Sequence, residues 1–126
     1  SGALADLSAV VIDDEPLVLQ ALELLLGSWG MRVHAVRTLE RMQALLAKLD
    51  RPPDVVIADY SLAHGERGTD AVALARRRGA PAAILLTGDT SPERLAEAEK
   101  ADCHLVHKPV MADKLRVLVV DICRSA

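Results

Sequence analysis

The chain predicts an α/β fold, a doubly wound parallel sheet built from five βα units. Three observations lead there. Short apolar runs alternate with amphipathic segments along the whole chain, the rhythm of strands joined by crossover helices. Three of those runs, VVID, VVIAD and AAILLT, are apolar almost throughout, as strands are when helices cover both faces of a sheet. With 126 residues, 51% of them hydrophobic, the chain suits one domain with a substantial core.

Each element has its own signal. A first strand is expected over residues 9–13, ending against three carboxylates, Asp13, Asp14 and Glu15. Pro16 suits the first turn of a helix over 16–28, with Val18, Leu22, Leu25 and Leu26 at helical spacing and Gly27 or Gly30 as its stop. The second strand, 32–36 (RVHAV), carries polar residues that fit a sheet edge. A helix over 39–49 repeats the apolar period through Met42, Leu45, Leu46 and Leu49 until Arg51-Pro52-Pro53 breaks it. The third strand, 55–59, is interior and runs into a polar loop, SLAHGERG, at 61–68. A helix over 69–78 ends at Gly79, its final Arg76-Arg77-Arg78 complementing the helix dipole. The fourth strand, 82–87, is also interior, and Ser91 with Pro92 caps and opens the fourth helix. The fifth strand, 104–107 (HLVH), reads as the other edge, and a helix over 111–123 closes the fold. One domain spans 1–126, with 1–6 read as a tag remnant or linker.

Bulk properties exclude several functions. A net charge of −3, from 15 basic and 18 acidic side chains, offers no broad cationic surface for nucleic acid. No apolar run approaches the roughly 20 residues that cross a bilayer, so the chain reads as soluble and cytoplasmic, with no membrane partner in this segment. Cys103 and Cys123 lack metal-ligand spacing and read as reduced thiols. His104 and His107, three apart on a strand, face opposite sides and do not suit one ion; His64 reads as solvated. Trp29 is expected to plug the end of the first helix and Tyr60 to pack beside the third-strand loop.

In an open parallel sheet the ligand site lies beyond the carboxyl ends of the strands, where the winding direction reverses. There the first strand offers Asp13 and Asp14, the third Asp59, the fourth Thr87, and the fifth leads into Lys108-Pro109. Three carboxylates, a hydroxyl and an ammonium on one edge suit phosphoryl transfer to a carboxylate. That chemistry needs an in-line nucleophile, a divalent ion on phosphoryl oxygens, and donors for the developing charge. Mg²⁺ takes one or two carboxylates and keeps other positions for water and phosphate, roles that fit Asp14 and Asp59, with Asp13 holding a metal-bound water. Lys108 and Thr87 would meet phosphoryl oxygens. A cis bond between Lys108 and Pro109 would turn the chain so that the ammonium points into the cleft.

VVIDDEP, VVIADYSL, LLTGDT and HLVHKPV, in this order, resemble the receiver domain of two-component response regulators over nearly the whole chain. The resemblance implies a flavodoxin-like (βα)5 sheet of strand order 2-1-3-4-5. It implies Asp59 as phosphoacceptor, Asp13 and Asp14 as the acidic metal pair, Thr87 as switch hydroxyl and Lys108 as the phosphoryl-binding lysine. It also implies Mg²⁺, replaceable by Mn²⁺, and a phosphohistidine donor on a histidine kinase or phosphotransfer domain. The domain would catalyse its own phosphorylation and dephosphorylation. Ser61 offers a backbone carbonyl to the metal, and Asp89 either caps the following turn or tunes dephosphorylation. The style of LLTGDTSPERL and HLVHKPV is most like receivers at the C-terminal end of hybrid sensor histidine kinases.

Three departures from the family pattern carry expectations. Ala63 replaces the usual loop proline, and the loop to Gly68 is about one residue longer than typical. The edge-strand position that usually holds a switch aromatic is Leu105, so phosphorylation is expected to couple weakly to the fourth-helix and fifth-strand surface, leaving a monomer or weak dimer. The alternatives are a phosphorylation-independent pseudo-receiver that binds partners, which usually lacks an acid or the lysine, and an aspartyl hydrolase, whose D-x-D spacing VVIDDEP lacks. No G-x-G-x-x-G or P-loop occurs.

Overall fold

The computed structural model describes residues 2–125; Ser1 and Ala126 lie outside the described residues. The strands are β1 (Ser8–Ile12), β2 (Arg32–Val36), β3 (Val55–Asp59), β4 (Ala82–Thr87) and β5 (His104–His107). Between and after them run α1 (Pro16–Ser28), α2 (Leu39–Lys48), α3 (Gly68–Arg77), α4 (Pro92–Lys100) and α5 (Ala112–Ser125). All pairings are parallel, in the order β2-β1-β3-β4-β5, with the two polar strands at the edges.

The strand period of two divides the interior strands between two cores. Val11, Ile57 and Ile84 face α1 and α5, packing with Leu19, Leu22, Leu26, Leu115 and Val119. Val10, Val56 and Leu85 face the other way, onto Met42 and Leu46 of α2 and Ala71, Val72 and Ala75 of α3. This two-sided burial is why VVID, VVIAD and AAILLT show no polar alternation.

Several expectations need correction. β1 starts and ends one residue earlier than expected, and Asp13 lies just past it, its amide donating to the Val36 carbonyl (3.2 Å). On α1 the fully buried positions are Leu19, Leu22 and Leu26, while Val18 and Leu25 flank them. Residues 2–6, read as part of a remnant or linker, include Leu4, which is 1% exposed and packs into the α1/α5 core. The polar loop after β3 closes on itself. It holds a 3-10 turn over Ala63–Gly65 with His64 and Gly65 in the left-handed region (φ 60° and 75°), and Ser61 pairs with Arg67 across it.

The arginine run does more than complement a dipole. Arg76 donates to the carbonyls of Pro81 (2.7 Å) and Asp102, tying α3 to the loops before β4 and β5. Arg78 donates from Nε to the Leu46 carbonyl (3.0 Å), which otherwise has only a long bond from the Leu49 amide (3.4 Å), and from Nη2 to the Leu49 carbonyl (2.7 Å), capping the end of α2. Arg78→Ala should therefore destabilise the fold by about 1–2 kcal/mol in urea denaturation, since two carbonyls lose a charged donor. An unchanged midpoint would mean that water replaces the guanidinium at no cost.

Both cysteines are free, and burial pushes each thiol up to about 11. At about pH 8 the thiolate that alkylating reagents attack is then roughly a hundredfold scarcer than for an ordinary cysteine. Iodoacetamide should modify Cys103 and Cys123 correspondingly slowly, accelerating about tenfold per pH unit until the thiols titrate. Modification as fast as that of an unfolded control peptide would contradict this.

Candidate functional site

The carboxyl ends of β1, β3 and β4 and the turn after β5 bring the expected side chains together. Asp13 and Asp59 are 1% and 7% exposed, Thr87 is 4% exposed, and Asp14 is half-buried beside them. One oxygen each of Asp13, Asp14 and Asp59 can be chosen so that all lie within 4.8 Å of one another, close enough to share one cation. Lys108 Nζ lies 2.7 Å from Asp59 Oδ1, with its side chain 31% exposed. The Lys108 amide donates to the Thr87 carbonyl (2.8 Å), extending the β4–β5 pairing to the lysine, and the following bond to Pro109 is cis.

The electrostatics of this group are unbalanced. Burial pushes the Asp13 carboxyl up to about 6, helped by the Asp59 and Asp14 charges and opposed by the Glu15 amide and by Lys108. Asp13 Oδ1 accepts from that amide (2.9 Å), whereas Oδ2 is buried with no hydrogen-bond partner among the described residues. Buried oxygens of this kind are rarely left alone. A cation among the three carboxylates would answer both the orphaned oxygen and the like charges, so the donor set fits Mg²⁺, a hard ion that prefers carboxylate and water oxygens. Burial alone would lower Lys108, yet the bond to Asp59 and the charges of Asp59, Asp13 and Glu15 together hold it above its ordinary value. The lysine is thus charged at neutral pH.

Thr87 Oγ1 is engaged locally: it accepts from the Asp89 amide (3.1 Å) and donates to the Asp89 carbonyl (3.2 Å). Asp89 itself is exposed and accepts from the Ser91 amide through Oδ1 (2.8 Å), the turn-capping contact. Ser91 in turn caps α4 by accepting from the Arg94 amide (3.3 Å). Ser61 is exposed in the closed loop, and Leu105 is half-buried against the α2/α3 core. His104 and His107 are both exposed on the edge strand.

Some neighbours carry no advance signal. Arg37 Nη2 donates to the Asp14 carbonyl (3.0 Å), pinning the acidic turn from β2's end. Glu66 accepts from the Leu39 amide (3.0 Å), fixing the loop after β3 against the start of α2. Tyr60 does not merely pack: its hydroxyl donates to the Glu97 carboxylate (2.8 Å to Oε2) and Arg94 lies 3.3 Å over its ring. The spacing of Arg94 and Glu97 on one helical face was readable; their meeting with Tyr60, from another element, was not.

Two clefts flank the acids. One of about 710 Å³ opens beside Asp14 and is lined by Arg37, Thr38, Arg41 and His64. The other, of about 400 Å³, is more apolar and runs from Val18, Leu22 and Leu25 of α1 to Lys108 and Pro109.

Comparison with known proteins agrees with this geometry. Residues 9–120 match the family model described as the response regulator receiver domain. The chain is 31% identical over 101 residues to the phyllosphere-induced regulator PhyR of Methylorubrum extorquens, covering 79% of this chain and 37% of that protein. It is 30% identical over 118 residues to the response regulator protein PilR of Pseudomonas aeruginosa, covering 92% of this chain and 26% of that one. The chain thus spans well under half the length of either relative. A receiver domain protein from Clostridium thermocellum superposes with a TM-score of 0.83 at 24% identity, over 94% of this chain and 95% of that one.

Proposed function

From the premise that this chain belongs to the response regulator receiver domain family, we propose that it is a phosphoacceptor in a two-component relay, with Asp59 taking a phosphoryl group from a phosphohistidine. The observation that carries this reading is the convergence of Asp13, Asp14 and Asp59 with Lys108 bonded to Asp59. A pseudo-receiver would be expected to lack an acid or the lysine, and both are in place here.

With Oδ1 held by Lys108, the other Asp59 oxygen serves as nucleophile: its bond to phosphorus forms as the phosphorus–nitrogen bond breaks, and the imidazole leaves with its electron pair and takes up a proton. Lys108 then moves its charge onto a phosphoryl oxygen, and Thr87 donates its hydroxyl to another. Asp13, Asp14 and Asp59, with the Ser61 carbonyl, would hold Mg²⁺ or Mn²⁺, which would supply positive charge for the phosphoryl oxygens. Hydrolysis of the acyl phosphate returns the domain to rest, with Asp89 at the rim of the site as the residue that tunes its rate. The apolar cleft beside Lys108 offers the donor domain a docking surface, and Leu17 and Met111, next in sequence to Val18 and Val110 of its lining, are 80% and 54% exposed. The sequence style around LLTGDTSPERL and HLVHKPV favours a hybrid histidine kinase as the parent chain.

Beryllium fluoride, which stands in for a phosphoryl group, tests the reading by fluorine NMR. One adduct per chain should form when Mg²⁺ is present and disappear on chelation. Binding that ignores the divalent ion, or no binding, would contradict it.

Leu105 gives a second expectation. Without an aromatic ring at β5 to pack in two alternative places, loading Asp59 should create no new self-complementary surface. Light scattering should show a monomer or weak dimer with and without beryllium fluoride and Mg²⁺. A complete shift to dimer at micromolar protein would refute this.

A further inference from the structure

We propose that Tyr60, Arg94 and Glu97 form the coupling element between the acceptor site and α4, a polar latch that is closed at rest and loosened when Asp59 is loaded. The inference rests on the receiver reading and assigns the route by which that site reaches the surface. It also amends the expectation of weak coupling to the fourth helix: what Leu105 does not transmit at β5, Tyr60 transmits at α4.

α4 is poorly anchored by apolar contacts. Among its described residues Ala98 alone is fully buried, and Leu95, its largest apolar side chain, is 51% exposed. A helix with so little buried apolar surface belongs to the low-stability end of a fold and depends on whatever else holds it. Here that is a contiguous polar cluster. The Arg94 guanidinium carbon sits over the Tyr60 ring, 3.3 Å from its centroid, and the side chain reaches Glu97 (3.2 Å) and Asp89 (3.4 Å) with its two terminal nitrogens. The Tyr60 hydroxyl closes the circuit by donating to the Glu97 carboxylate, with Oε2 the nearer oxygen (2.8 Å) and Oε1 at 3.0 Å. The Arg94 side chain is only 20% exposed, so its contacts with Tyr60 and Glu97 are shielded from solvent more than a surface ion pair is, whereas its contact with the exposed Asp89 is not.

Both ends of the cluster are tied to the acceptor site. Tyr60 follows Asp59 directly, its amide donating to the Leu86 carbonyl (2.8 Å) and its carbonyl accepting from Gly68 (2.8 Å). The ring is therefore held on the frame that holds the acceptor. Asp89 is bound through its backbone to the Thr87 hydroxyl, which both accepts from its amide and donates to its carbonyl. A hydroxyl has one proton to give. When Thr87 gives that proton to a phosphoryl oxygen, the Asp89 carbonyl loses its donor, the turn holding Asp89 shifts, and Arg94 loses one of the two carboxylates that hold it over Tyr60. Tyr60 and Arg94 thus act through Asp89 and Thr87 as positioning residues, distinct from the groups that touch phosphate.

The chain has one tyrosine, so the ring can be followed without overlap in protein carrying ¹³C-labelled tyrosine. Adduct formation with beryllium fluoride and Mg²⁺ is read independently by fluorine NMR, and α4 by amide hydrogen exchange. On loading, the Tyr60 ring signals should move and the α4 amides should exchange about tenfold faster, as expected when charge-assisted contacts holding a marginal helix are lost. Arg94→Lys keeps the charge but gives up planar stacking, and Glu97→Gln keeps an acceptor but loses the charge. Each should raise α4 exchange in the unloaded chain, shrink the further rise on loading, and still form the adduct. An adduct with the Tyr60 ring and α4 exchange unchanged overturns the latch and leaves the receiver reading standing, as do variants that exchange like the wild type. No adduct in the wild type overturns both.

Discussion

Asp59→Asn should take up no phosphoryl group from acetyl phosphate, while the wild-type chain gains one per molecule with Mg²⁺ present. The loss should be complete because the proposed nucleophile is a single carboxylate oxygen of Asp59, and an amide in the same place is neither charged nor basic enough to replace it. The same substitution leaves the surroundings nearly isosteric. It removes one of three crowded like charges around Asp13, so the variant should remain folded by circular dichroism. That separates loss of chemistry from loss of structure. Intact-mass measurement reads the result directly, and an Asp59→Asn protein that is modified as readily as wild type would show that the acceptor lies elsewhere.

Gly68→Ala should be among the most destabilising single-methyl additions in this chain. A Cβ at Gly68 would stand 2.2 Å from the Asp59 carbonyl oxygen, 2.9 Å from its carbonyl carbon and 2.6 Å from Leu85 Cδ1. Two of those atoms are backbone of a fully buried central strand, so what must move is the strand end that carries Asp59. The Gly68 amide also donates to the Tyr60 carbonyl at 2.8 Å, which prevents α3 from simply backing away. Overpacking of this kind costs about 1–3 kcal/mol and more where backbone must shift, so a loss of roughly 3 kcal/mol is expected. For a domain of this size that is a fall in melting temperature of roughly 10 °C. Gly27→Ala is the control: nothing lies within 4 Å of an added Cβ there, and alanine in a helix should be neutral or stabilising by up to about 1 kcal/mol. Equal melting temperatures for Gly68→Ala and wild type would mean that α3 accommodates the methyl group without moving Asp59.

The contrast between these two residues shows what the sequence discloses. Asp59 was legible because strand ends in a parallel sheet are set by apolar runs, and an acid at such an end stands out against them. Pro16, Ser91 and Pro92 marked helix starts because their conformational preferences are local. Gly68 was visible as the end of a polar loop, but its need for empty space comes from a strand several residues away. The same holds for long side chains with distant partners. Arg78 reaches the Leu46 carbonyl across 32 positions and Tyr60 reaches Glu97 across 37, and nothing in the local spacing names either partner. Leu4 is hidden for another reason: the stretch SGALADL is too short for its two leucines to establish a period, yet Leu4 packs into the α1/α5 core.

The central claim is that Asp59 is the acceptor, and the most direct test is to locate the phosphoryl group in wild-type protein. The chain is loaded from a small phosphodonor with Mg²⁺, the acyl phosphate is trapped by borohydride reduction, and the peptides are sequenced by tandem mass spectrometry. The account predicts a reduced residue at Asp59 and nowhere else, with none formed when the divalent ion is chelated. Phosphate recovered on His64, Ser61 or either neighbouring aspartate, or labelling of Asp59 that is indifferent to the ion, would contradict it.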